Sequence, residues 1–106
     1  MLLRSLIVSA ALLLLLVGCD MASQVKEGLD QSESAARAIE KQIGAKPEVG
    51  FNFNNGRLTT VTVQFRGAPN VQLGEIERAS RIAVKSAFGK EPSNLVVAFV
   101  YETKPP

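Results

Sequence analysis

The sequence predicts an α+β fold: a two-layer sandwich of order α-β-β-α-β, with a three-stranded sheet and two helices on one of its faces. Three observations lead there. Two segments place apolar residues at helical spacing, and each is closed by a Gly followed three residues later by a Pro. Two segments of period-two alternation flank Asn54-Asn55-Gly56, a hairpin signal. Residues 95–101, Leu-Val-Val-Ala-Phe-Val-Tyr, supply an uncharged third strand.

The first helix is expected from about residue 23 to residue 43. Val25, Leu29, Ser32, Ala36, Ile39 and Ile43 step by three or four and share one face, with Ser32 as its polar gap. Glu33 and Arg37 form a favourable i, i+4 pair. Gly44 and Pro47 end the helix, because Gly accepts the left-handed cap and Pro cannot continue the ladder. A first strand is expected over residues 48–53, with Val49, Phe51 and Phe53 on one face. A second covers 57–65, with Val61, Val63 and Phe65 together.

Register decides the hairpin. A plain two-residue turn at Asn55-Gly56 puts Val61, Val63 and Phe65 on the face away from the phenylalanines of the first strand. A three-residue loop over 54–56, with Gly56 left-handed, pairs Phe53 with Arg57 and Val49 with Val61 and collects the apolar residues on one face. This loop is the expected arrangement. The other is a two-residue turn with a separate bulge between Leu58 and Thr60.

The second helix is expected over about 71–88, with Asn70 as its N-cap. Leu73, Ile76, Ser80, Ala83, Val84 and Ala87 form its inner face, and Gly89 and Pro92 stop it. In the third strand Leu95, Val97, Phe99 and Tyr101 can face the helices. Val96, Ala98 and Val100 then face the other way and are also apolar, where a half-buried strand should carry polar residues. The tight hairpin keeps this strand out of the middle of the sheet. It therefore lies at an edge, where an uncovered apolar face is a liability.

Composition removes several functions. The chain has 106 residues, one Cys and no His, so an intrachain disulfide and any His-based metal site or triad are excluded. Twelve basic and ten acidic residues are too balanced for nucleic-acid binding driven by bulk charge. Glu75 and Glu77 are near in sequence but point to different sides of a helix, unlike the paired carboxylates that flank a glycosidase cleft. No Gly-rich phosphate loop is present. No catalytic residue, metal or cofactor is expected.

The amino terminus reads as an address. Arg4 precedes an apolar run over residues 6–16, broken only by Ser9 and shorter than the roughly 20 residues that span a bilayer. Leu16-Val17-Gly18-Cys19 follows, and resembles the lipobox of bacterial lipoproteins. The resemblance implies that residues 1–18 are a signal peptide, cleaved before Cys19. It also implies that Cys19 carries a diacylglycerol thioether and an acylated amine. Several acyl chains anchor firmly where one binds only marginally. Lipidation accounts for a solitary Cys in an exported chain. Asp20 resembles the residue that retains such proteins in the enterobacterial inner membrane, implying an inner-membrane, periplasm-facing location. Residues 19–23 are then a short tether, 24–104 the domain and 105–106 a tail.

The element order is similar to that of BON domains and of ring-building modules in secretion-system and sporulation lipoproteins. Those families bind membranes or assemble into oligomers, without catalysis. The expected function is a membrane-anchored, non-catalytic interaction or assembly module of the cell envelope. Its partner, another protein or itself, would meet the surface Val96, Ala98 and Val100. The alternative is a lipid- or small-ligand-binding module that uses Arg78, Arg81 and Lys85, the basic stripe of the second helix, against anionic head groups.

Overall fold

A computed structural model describes residues 25–104, in which α1 (25–43), β1 (Glu48–Asn54), β2 (Arg57–Arg66), α2 (Leu73–Phe88) and β3 (Asn94–Val100) follow one another. The sheet order is β1-β2-β3. β1 and β2 are an antiparallel hairpin, while β2 and β3 run parallel across the α2 crossover. The architecture is the α-β-β-α-β two-layer sandwich that the patterning predicts.

The hairpin corrects the expected loop. Asn54 pairs with Arg57 and Phe53 with Leu58, leaving a two-residue Asn55-Gly56 turn. Both turn residues have positive φ, 52° and 76°, as a type I′ turn requires. The register then shifts between Asn52 and Phe53: Asn52 faces Thr60, and Thr59 is the extra residue of a bulge. The Thr59 hydroxyl donates to the Asn52 carbonyl at 2.9 Å across that bulge. One extra residue moves Val61, Val63 and Phe65 onto the face already occupied by Leu58, so Val61 opposes Phe51 and Val63 opposes Val49. The right-handed twist of a type I′ turn suits the strands better than the three-residue loop, and the bulge repairs the facing.

Both helices lie on that face. Ala35 and Ile39 of α1 join Ile76, Ala83, Val84 and Phe88 of α2 and Leu58, Val61, Val63 and Phe65 of β2 in one buried cluster. The expected inner stripes hold in the middle of each helix and fail at its start. Val25 and Leu29 are each 59% exposed, and Leu73 is also exposed. In their place Gly28 is buried, and a methyl group there would lie 2.5 Å from Phe51 Cζ. The missing side chain at Gly28 makes room for the Phe51 ring, which packs edge-on to Phe53 and tilted against Phe88 at 5.6 and 6.0 Å between centroids.

The N-cap of α2 is Gln72, not Asn70, and its side chain makes no capping bond. Val71 N–H donates to the Pro69 carbonyl at 2.9 Å, a tight turn that holds Asn70 outside the helix. Glu33 accepts from Lys46 Nζ at 2.6 Å and from Arg37 Nε at 3.3 Å, tying α1 to the segment before β1. The Lys46 hydrogen bond, more than the Arg37 contact, holds the Glu33 carboxyl below its ordinary pKa.

Candidate interaction surface

β3 is the outer strand of the sheet on the side away from β1. Leu95, Val97 and Phe99 pair with Val61, Val63 and Phe65, and so point to the helix layer. Their β2 neighbours are buried, yet all three are only half-buried. Phe99 stacks on Phe65 at 5.9 Å, but the helices do not close over the strand. Tyr101, expected on the inner face, lies past the end of β3 and is exposed.

Val96, Ala98 and Val100 pair with Thr62, Gln64 and Arg66, on the face that carries no helix among the described residues. Val96 and Val100 are 43% and 42% exposed, and Ala98 is half-buried. Beside them Thr60, Thr62 and Gln64 are uncharged, while Arg66 next to Val100 and Glu48 next to Gln64 are exposed charges on the same face, so the patch is apolar at β3 and bounded by charge toward the end of that strand. The sequence-predicted residues are thus gathered on one strand and one face.

Arg78, Arg81 and Lys85, the basic stripe of α2, are all exposed. Arg81 Nε donates to Glu77 at 3.0 Å, and Lys85 Nζ stands 3.9 Å from Glu91. Acidic neighbours therefore offset two of its three cations, and exposed pairs of this kind contribute little energy. Arg78 is exposed beside the shallow groove between the helices, lined also by Gln42, Ile43 and Ile82. Cys19 and Asp20 lie outside the described residues.

One feature was not legible in the sequence. At the end of the domain where α1 begins, Val25, Gln31, Phe51, Phe53, Phe88 and Lys90 line an open groove of about 450 Å³. Lys90 Nζ stands 5.8 Å from the Phe53 ring centroid, within cation–π range. Phe53, beside the hairpin turn, is left 39% exposed, and strand alternation alone does not show how far a helix layer extends. Among the described residues no helix is long and apolar enough to cross a membrane, and no group of His, Cys, Asp and Glu could hold a metal ion. Compared with protein families, with curated proteins and with solved structures, the chain matches none.

Proposed function

We propose that the chain is a membrane-anchored lipoprotein of the cell envelope acting as a non-catalytic interaction or assembly module, with β3 as its contact element. The observation that carries the reading is the two-sided apolar character of an edge strand whose outer face holds Val96 and Val100 partly exposed. Acyl chains on Cys19, six residues before Val25, would hold the domain close to the bilayer, inner membrane and periplasm-facing by the Asp20 signal. The absence of His from the sequence and the exposure of Glu75 and Glu77 support a binding rather than a chemical role.

Cys19→Ser tests the anchor. The variant should accumulate as an unprocessed precursor and lose palmitate labelling. The domain should still fold, because the lipid is attached outside its core. Continued cleavage before residue 19 together with continued acylation would contradict the lipoprotein reading.

A further inference from the structure

The open edge of β3 has a defined hydrogen-bonding character. Gly67 N–H donates to the Val100 carbonyl at 2.8 Å, as the parallel pairing of Arg66 with Val100 demands. Backbone groups of successive strand residues alternate in direction. Val96, Ala98 and Val100 therefore turn their N–H and C=O groups to β2, and Leu95, Val97 and Phe99 turn theirs outward. Among the described residues no strand lies beyond them. Natural edges are usually blunted by a charge, a Pro or a bulge. β3 has none: its sequence is Asn-Leu-Val-Val-Ala-Phe-Val, and its pairing with β2 is unbroken. The opposite edge, β1, carries Glu48, Gly50, Asn52 and Asn54 and is poorly suited to strand addition.

We infer that β3 pairs antiparallel with β3 of a second copy of this chain, joining two sheets into one of six strands. This deepens the proposed interaction module and rests on it. The register centred on Val97 puts Val97 against Val97 and Leu95 against Phe99 on the helix side, and Val96 against Ala98 on the other. Every central cross-strand pair is then apolar on both faces. The outward groups of Leu95, Val97 and Phe99 satisfy one another across the pair. Pairing with β1 of another copy would instead set Gly50, Glu48 or Asn52 against valines. The two-fold axis of such a pair is normal to the sheet, so both copies keep their helices on one side. Both α1 helices then sit in one layer, their first residues toward opposite ends of the pair. Anchoring in one membrane raises the effective concentration for the pairing.

The test uses the full-length chain purified in detergent micelles. Its mass should rise from monomer to dimer with protein concentration. Hydrogen exchange at the amides of Leu95, Val97 and Phe99 should slow in step, while exchange at Asn55 and Gly56 in the hairpin turn stays unchanged. Val96→Lys with Ala98→Lys sets like charges opposite each other and should weaken association by about tenfold or more. Mixing that variant with Val96→Glu plus Ala98→Glu should restore it. A monomer at every concentration, or a dimer with no concentration-dependent protection at those three amides, overturns the pairing. The amide measurement needs only the unmodified chain, so it decides even if the charged variants misfold. A monomer that remains acylated and membrane-bound defeats self-pairing and leaves the anchored-module reading standing. Loss of acylation in the unmodified chain would defeat that reading whatever β3 does.

Discussion

Ser80 lies fully buried on the inner face of α2, and its hydroxyl has no hydrogen-bond partner among the described residues. Ser32, its counterpart in α1, donates to the Gly28 carbonyl at 2.7 Å. An unpaired buried hydroxyl costs free energy that an Ala does not, and Ala is the better helix former. Ser80→Ala should therefore stabilise the domain by about 1 kcal/mol, read from the denaturant midpoint. A loss of stability would mean that the hydroxyl is in fact satisfied. Gly56 has the opposite sensitivity. At φ 76° it occupies the left-handed region, and a β-branched side chain is badly strained there. Gly56→Val should cost on the order of 1–3 kcal/mol in equilibrium unfolding; a cost below about 0.5 kcal/mol would contradict the turn geometry. The left-handed Gly56 was legible because Asn-Gly carries its own backbone preference. The solitary hydroxyl of Ser80 was not, because the spacing of residues reports which face is buried and not what lies opposite.

The elements were legible wherever local pattern decides them. Two helices, three strands and the edge position of β3 follow from periodicity, from Gly and Pro stops and from the shortness of the hairpin. The hairpin register needed a choice between two ways of placing the same apolar residues on one face. Sequence could not weigh the twist of a type I′ turn plus a Thr59 bulge against a three-residue loop. At the start of α1, the spacing of Val25 and Leu29 marks a face, yet the larger demand is room for Phe51, which only Gly28 supplies. β3 is the element on which function rests. Replacing Val96 and Val100 together by Thr keeps strand propensity and shape. Because both are partly exposed, the fold should lose less than about 1 kcal/mol while partner contact weakens. A loss of several kcal/mol in chemical denaturation would place the two valines in the domain's own core, against the two-layer arrangement.

Among the described residues, the layering leaves one sheet face without helices and puts the least protected strand at its margin. Cleavage before Cys19 would remove Arg4 with the signal, leaving 11 basic and 10 acidic side chains on 88 residues. Long-range charge then does little to select a partner, and shape and backbone pairing at β3 do more. The aromatic groove lies at the end of the domain where α1 begins, while β3 runs along its side with no strand beyond it among the described residues. The central claim is that the anchored protein makes its contacts through β3. Site-specific photo-crosslinking in intact membranes tests it most directly, with the reactive side chain placed at Val96 in one experiment and at the exposed Glu40 of α1 in another. Position 96 should give a discrete crosslinked species of defined mass, and position 40 none. No adduct from position 96, or the same adducts from both positions, would contradict it.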